Sequence, residues 1–130
     1  MKKLKAKIDK ILKIARQDDE ILAVFLFGSA ARREEHKTSD IDICLILKPG
    51  RHSSLGLSEK RFEYLKVFDL DVQIFQQLPL YIKMNVIKDG KKLFCANEDE
   101  LYQSVFNTIT EFEDYRDIYR DYLVEVENVR

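Results

Sequence analysis

Apolar residues recur every three or four positions near both ends of the chain, which is the spacing of one face of an α-helix. Near the start they are Leu4, Ile8, Ile11, Leu12 and Ala15. Near the end they are Leu101, Val105, Phe112, Tyr115, Tyr119, Tyr122 and Val126. Asn97 precedes the second set with Glu100 three positions later, as in an N-terminal capping box. We therefore predict an amphipathic first helix and a last helix that reaches about residue 127.

Between these helices the pattern changes to that of strands. Residues 21–27 (ILAVFLF) and 41–47 (IDICLIL) are rich in β-branched and aromatic residues and are apolar on both faces, as central strands are. Residues 69–75 (DLDVQIF) alternate strictly, which predicts a strand with one polar face. Residues 91–96 (KKLFCA) predict a fourth, short strand.

Two connecting segments complete the pattern. Residues 80–88 predict a short helix, which Asp89-Gly90 should end. Residues 48–60 contain Pro49, Gly50 and Gly56 and predict a loop. The length of the chain predicts a single domain, residues 1–130.

Composition narrows the class of protein. The 130 residues are 45% apolar and 35% charged with a net charge of −1, which is typical of a soluble globular domain. The sequence has neither a long apolar run nor the apolar core of a signal peptide, so we expect a cytoplasmic protein that does not bind membranes. Cys44 and Cys95 lie in apolar runs and are predicted to be buried and reduced.

Two carboxylates are out of place at the start of the apolar run at 41–47, because Asp40 directly precedes the run and Asp42 interrupts it. Alternate residues of a strand share a face, so Asp40 and Asp42 would lie on one face roughly 7 Å apart. Asp71, on the polar face of the later strand, can join them. Three convergent carboxylates repel one another unless a cation lies between them, and oxygen ligands suit Mg²⁺. Gly28-Ser29 follows the strand at 21–27 and precedes a predicted helix, which is a phosphate-binding arrangement.

These residues resemble a known family. Gly28-Ser29, ten residues, and then Asp40-x-Asp42 match the GS-x10-D-x-D pattern of the polymerase β-like nucleotidyltransferases. The motifs FGSAAR and SDID are similar to those of the small MNT group. The segments DVQIFQQLP and DGKKLF are similar to segments of the MntA antitoxins, so the resemblance covers nearly the whole chain. The implied fold is the polymerase β-like α/β fold with a long C-terminal helix. In that fold we expect a small mixed sheet that carries the three aspartates on one face and packs helices on the other.

The resemblance also implies roles for individual residues. Asp40, Asp42 and Asp71 would bind Mg²⁺, and Asp71 would help to deprotonate the acceptor hydroxyl. Asp69 lies on the same predicted face as Asp71 and is the rival third ligand. Asp71 is preferred because its spacing to Leu78-Pro79 fits the family.

The remaining family positions concern the triphosphate. Gly28 would let the backbone approach it, and Ser29 would hold the β- and γ-phosphates. Arg32 would neutralise phosphate charge, unless it is a solvated helix residue. Ser39 would orient Asp40 or merely end the loop. Arg33 stands where the family usually has glycine, which puts the shape of the following loop in doubt.

The function implied by the resemblance is transfer of AMP from Mg-ATP to a tyrosine of a partner HEPN ribonuclease toxin, without direct nucleic-acid binding. Two alternatives stay open. The chain could modify a small molecule, as aminoglycoside nucleotidyltransferases do. It could instead be a degenerate module that blocks a toxin sterically, although the three retained carboxylates argue against this.

The charge is unevenly distributed along the chain. Residues 1–16 contain seven basic residues and one acidic residue, whereas residues 97–130 contain ten acidic and three basic residues. Such blocks are often the solvated faces of helices. A ribonuclease presents basic residues to phosphates, so an acidic, tyrosine-rich last helix could also bind one. We therefore predict that residues 97–127 contribute to partner binding.

Overall fold

A computed structural model describes residues 2–28, 42–67 and 70–129 of the chain. The helices are α1 (Lys2–Gln17), α2 (Ser54–Val67), α3 (Leu80–Asp89) and α4 (Glu98–Val129). The strands are β1 (Ile21–Phe27), β2 (Asp42–Leu47), β3 (Asp71–Ile74) and β4 (Lys91–Cys95). A short 3₁₀ helix, Phe75–Gln77, follows β3. In this part of the chain no helix is both long and apolar enough to span a bilayer.

The four strands form one mixed sheet in the order β3-β2-β1-β4. β1 pairs antiparallel with both β2 and β4, whereas β2 and β3 are parallel. The two central strands are almost completely buried, as their apolar sequences predict. The predictions of a mixed sheet and of all four strands are confirmed.

Helices cover both faces of the sheet, and in this the expected arrangement was wrong. One apolar cluster joins alternate residues of the strands to Ile11 and Ala15 of α1 and to Leu57 and Tyr64 of α2. The other cluster joins the remaining strand residues to α3 and α4. Central strands that are apolar on both faces need a cover on each side. Asp42 and its strand neighbour Asp71 lie on the same side of the sheet as Cys44, which belongs to the cluster with α3 and α4.

The second helix was not predicted. Residues 48–60 were predicted to form a loop, but α2 begins at Ser54. The α2 sequence has little apolar periodicity, and tertiary contacts stabilise it. Lys60 is buried, with its ammonium 3.1 Å from the Asp18 carboxylate. A buried lysine reads as a surface residue in the sequence because its partner lies 42 residues away.

The other helices begin and end close to their predicted positions. The Glu100 amide donates to the Asn97 side-chain oxygen at 3.1 Å, so the predicted cap of α4 forms. α3 ends at Asp89, but Gly90 has φ −72° rather than the left-handed conformation expected after a helix. A side chain at Gly90 would clash with the Val86 carbonyl oxygen, so this glycine is needed for close packing.

The last helix has a buried half and an exposed half. Leu101 and Thr108 are buried, and Val105 and Phe112 are partly covered. From residue 113 to residue 125 every residue is exposed. Of the two cysteines, Cys44 is buried as predicted, whereas Cys95 is only partly buried, and both are free thiols.

Candidate active site

The register of the sheet brings two of the predicted aspartates together. In the parallel β2–β3 pair, Asp42 of β2 lies directly beside Asp71 of β3. Neighbouring residues of paired strands point to the same face, so both carboxyl groups lie on one side of the sheet. Phe27, the last residue of β1, lies opposite Asp42 on its other side. The adjacent ends of three strands therefore form the candidate site.

Gly28 closes the site beside Asp42. Its φ of +78° lies in the left-handed region, which L-residues with a side chain rarely adopt. A Cβ atom placed here would lie 2.5 Å from the Asp42 Oδ2 atom. The glycine thus allows the backbone after β1 to run directly past the Asp42 carboxylate.

Asp71 is held by two side chains. The Gln73 amide nitrogen donates to the Asp71 Oδ1 atom at 2.9 Å, and an Arg61 terminal nitrogen lies 3.8 Å from the same oxygen. The Arg61 Nε donates to the Val72 carbonyl at 2.8 Å, which fixes the guanidinium against the outer edge of β3. Arg61 and Asp71 are each more than one third exposed, so the ion pair is weak and solvent reaches the carboxylate.

The other predicted site residues lie outside the described residues. They are Ser29, Arg32, Ser39 and Asp40, together with Asp69, the rival of Asp71. Within residues 2–28, 42–67 and 70–129 no three acidic, histidine or cysteine side chains converge as metal ligands. The described part of the site therefore contributes two of the three predicted carboxylates, and the roles of all these residues stay predictions.

Two residues near Asp71 were not predicted as part of the site. Gln73 shares the polar face of the alternating strand with Asp71, so the spacing of residues 69–75 already carried the signal. Arg61 lies on α2 between Leu57 and Tyr64, which are seven residues apart and both buried. A spacing of seven residues is compatible with one face of a helix. Because residues 48–60 were predicted to form a loop, this helix and Arg61 on it were missed.

A second ionic cluster lies on the opposite face of the sheet. Asp18 accepts hydrogen bonds from the Lys60 ammonium at 3.1 Å, from the Tyr64 hydroxyl at 2.9 Å and from the Glu20 amide at 3.0 Å. Burial alone would raise the pKa of Asp18, but these hydrogen bonds and the ammonium charge outweigh it and hold the pKa below its usual value. Burial and the Asp18 charge both raise the pKa of Tyr64. These partners therefore stabilise the ionised form of the Asp18 carboxylate.

Comparisons with known proteins identify relatives of the chain. A family model described as "Polymerase beta, Nucleotidyltransferase" matches residues 9–99. The protein named "Putative protein adenylyltransferase MJ1547" from Methanocaldococcus jannaschii is 36% identical over 107 residues, which are 78% of this chain and 72% of that protein.

Solved structures share the fold. A chain from the tri-AMPylated Shewanella oneidensis HEPN toxin in complex with its MNT antitoxin superposes with a TM-score of 0.65 at 17% identity, covering 95% of this chain and 98% of that one. A chain from a toxin-antitoxin complex with AMP-PNP superposes with a TM-score of 0.65 at 21% identity, covering 91% and 96%. At these identities the likeness shows the fold alone.

Proposed function

The chain belongs to the polymerase beta nucleotidyltransferase family, and from this premise we propose that it transfers AMP from Mg-ATP to a tyrosine hydroxyl of a HEPN ribonuclease toxin. The resemblance noted from its motifs is thereby confirmed, and the mixed sheet with its long last helix is the fold of that family. The chain is a nucleotidyltransferase. The proposal concerns the nucleotide, the metal ion, the acceptor and the partner.

The juxtaposition of Asp42 and Asp71 is the observation that carries the proposal. Two carboxylates side by side on adjacent strands repel each other, and a cation bound between them would relieve this repulsion. The donors are carboxylate oxygens, which suit Mg²⁺. Asp42 and Asp71, with Asp40 as the third predicted ligand, are therefore the residues that would hold it. When bound, the metal would neutralise charge on the attacking and leaving oxygens at the α-phosphate.

The residues of the chain divide the remaining work. Gly28 allows the nucleotide to approach the backbone beside Asp42, where a side chain would collide with the carboxylate. Asp71 accepts the proton of the tyrosine hydroxyl. The tyrosine oxygen then bonds to the α-phosphorus while the bond from that phosphorus to the bridging oxygen breaks, and pyrophosphate leaves. Gln73 donates to one oxygen of Asp71 and so orients this carboxylate.

The nature of the acceptor is supported by the relatives. The Methanocaldococcus jannaschii relative is named as a protein adenylyltransferase, and the Shewanella oneidensis complex contains an AMPylated HEPN toxin. We extend both properties to this chain. Its acidic last helix, with ten acidic residues in residues 97–130, suits a ribonuclease that presents basic groups to RNA.

Intact mass spectrometry tests the proposal. The chain is mixed with a HEPN-type ribonuclease toxin from the same organism, in the presence of ATP and Mg²⁺. We expect the toxin to gain about 329 Da for each AMP, from the chemistry of the modification, and peptide mapping to place it on tyrosine. Asp42→Asn is the matched control and should give no mass gain.

The alternatives give different results in the same assay. A stable complex without an ATP-dependent mass gain would indicate a steric module. A chain that neither binds nor modifies the toxin, but adenylylates an aminoglycoside in an acceptor screen, would indicate a small-molecule transferase. Either result would contradict the proposal.

A further inference from the structure

One apolar stripe runs the length of α4, and only its first half is covered. Successive residues of the stripe are three or four positions apart, which places them on one face of the helix. They are Leu101, Val105, Thr108, Phe112, Tyr115, Tyr119, Tyr122 and Val126. Leu101 and Val105 pack against the cluster of α3 and the sheet, Thr108 is buried, and Phe112 is partly covered. A helix of 32 residues is about 48 Å long, so the second half extends the same face beyond its cover.

The exposed half presents a broad aromatic and aliphatic surface. We call it the distal face, which consists of the exposed Tyr115, Ile118, Tyr119, Tyr122 and Leu123 and the partly exposed Val126. Tyr115, Tyr119 and Tyr122 are 60%, 54% and 60% exposed. The rings of Tyr115 and Tyr119 stack with centroids 6.4 Å apart, so the two side chains form one continuous aromatic surface. Clustered exposed apolar side chains of this kind mark interaction sites in soluble proteins.

A cavity adjoins the start of the distal face. It has a volume of about 250 Å³ and is lined by Leu80 and Tyr81 of α3 and by Phe112 and Tyr115 of α4. The cavity therefore lies where the covered half of the stripe meets the exposed half. An apolar side chain of a binding partner could fill it and anchor the contact at the body of the protein.

Charge decides what can cover the distal face. Residues 113–127 contain six acidic residues and two arginines. Pairing this segment with its copy in a second chain would bring the same excess of negative charge together, which opposes association. A partner with basic residues around an apolar patch would be attracted instead. A ribonuclease provides such a surface because it binds phosphates.

We infer that the distal face of α4 is the docking surface for the ribonuclease partner, which binds it with an apolar patch bordered by basic residues. This inference rests on the proposed function for the identity of the partner. Docking on α4 is separate from the chemistry at Asp42 and Asp71, which lie at the ends of β2 and β3. Binding and transfer can therefore be measured independently.

Binding of two matched sets of variants tests the inference. The first set is Tyr115→Ala, Tyr119→Ala and Tyr122→Ala combined. The second set is Leu55→Ala, Phe62→Ala and Val67→Ala combined, which removes three exposed apolar side chains from α2. Calorimetric titration with the HEPN-type protein, without ATP, should show binding weakened roughly a hundredfold by the first set, since buried tyrosines dominate interfaces. The α2 set should bind like the unmodified chain.

Charge reversal provides an independent variant. Asp114→Lys with Asp121→Lys changes exposed positions of the same helix half without removing apolar surface. We expect roughly tenfold slower association at low salt, and a smaller difference at high salt, because electrostatic steering acts mainly on the association rate. An association rate that does not change would contradict the choice of a basic partner.

Failure of the inference can be told apart from failure of the proposed function. If the unmodified chain binds the toxin but adds no AMP, the proposed function fails, and loss of binding in the tyrosine set still supports the docking surface. If the tyrosine set binds and modifies the toxin with unchanged affinity and KM, the docking surface is wrong. A dimer of the chain alone in light scattering that the tyrosine set abolishes would also overturn it, because a second copy would then cover the face.

Discussion

Asp18 and the Asp42–Asp71 pair both lie next to strand ends, but the charges around these carboxylates differ. Asp18 faces the Lys60 ammonium at 3.1 Å and accepts two further hydrogen bonds, from a phenol and a backbone amide. Asp42 instead has another carboxylate, that of Asp71, as its neighbour on the adjacent strand. The Arg61 guanidinium is 3.8 Å from Asp71 and the pair is well solvated.

Under the proposed function, this difference separates a carboxylate that stabilises the fold from two carboxylates that hold the metal ion. At the first cluster the positive charge is part of the chain, and it joins α2 to the turn between α1 and β1. At the second cluster two carboxylates lie side by side and the Arg61 guanidinium pairs only weakly with Asp71, so we propose that a bound cation adds positive charge there. Removing Asp18 should therefore affect stability, and removing Asp42 or Asp71 should affect activity.

The largest expected effect is the loss of transfer in Asp42→Asn and Asp71→Asn. Each substitution removes a charge that the transition state needs, so AMP transfer should fall roughly 10²- to 10³-fold, as for other groups that stabilise developing charge. The rate of AMP incorporation into the partner measures this. Asp69→Asn should reduce the rate much less. The reverse order of the Asp69 and Asp71 variants would show that Asp69 is the third ligand.

The second effect should appear at the other cluster. Asp18→Ala leaves Lys60 buried without its closest carboxylate, which should lower the free energy of unfolding by about 3 kcal/mol, the low end for broken buried ion pairs. Glu20 and Glu63 remain near the ammonium and keep the loss at that end. Urea denaturation measures it, with the exposed neighbour Asp19→Ala as the control. If Asp18→Ala folds but loses AMP transfer, the prediction is wrong, because Asp18 would then be needed for activity and not only for stability.

Substitutions of two glycines, Gly28 and Gly50, test whether the close approach of the backbone to Asp42 matters for transfer. Gly28→Ala combines backbone strain at φ +78° with a methyl group 2.5 Å from the Asp42 carboxylate. We expect transfer to fall roughly tenfold as the carboxylate is displaced, together with about 1 kcal/mol of lost stability. Gly50 also has a positive φ, but a methyl group added there would have no neighbouring atom within 4 Å, so Gly50→Ala is the control. It should cost stability without reducing transfer. Equal transfer rates in both variants would show that Gly28 is only a turn residue.

The smallest effect concerns pH. The folded pKa of Asp18 lies below its unfolded value of about 3.9. The ionised carboxylate therefore stabilises the fold above that pH, and the contribution is lost as the pH falls through the folded pKa. Asp18→Asn should flatten the dependence of unfolding free energy on pH below about pH 4. An unchanged acid slope would mean that other carboxylates dominate it.

Local pattern was sufficient for much of the fold. The strands at 21–27 and 42–47 and the cap at Asn97 follow from alternation, apolar runs and a capping residue, all of which act within a few positions. The helix α2 could not be predicted in this way. Its stability depends on the buried Lys60, whose partner Asp18 is distant in the sequence.

In the candidate site, too, the features that depend on local sequence were predicted, and those that depend on contacts between distant residues were not. The spacing of Asp40 and Asp42 and the polar face carrying Asp71 are visible in the sequence, and a family resemblance gave them roles. That Asp42 lies beside Asp71 depends on the parallel register of β2 and β3. Strand register is a non-local property that neither run specifies alone. Arg61 was missed for the same reason, because its contact with Asp71 requires α2 to pack against β3.

The thermal stability of Asp42→Asn, with and without an ATP analogue and Mg²⁺, tests the central comparison most directly. Without ligand, the variant should melt at the same temperature as the unmodified chain or higher, because one of two repelling carboxylates has been neutralised. With ligand, the unmodified chain should gain stability in proportion to binding, and the variant should not. A ligand-free variant destabilised to the degree expected for Asp18→Ala, with its ligand response retained, would contradict the account and make Asp42 a structural residue.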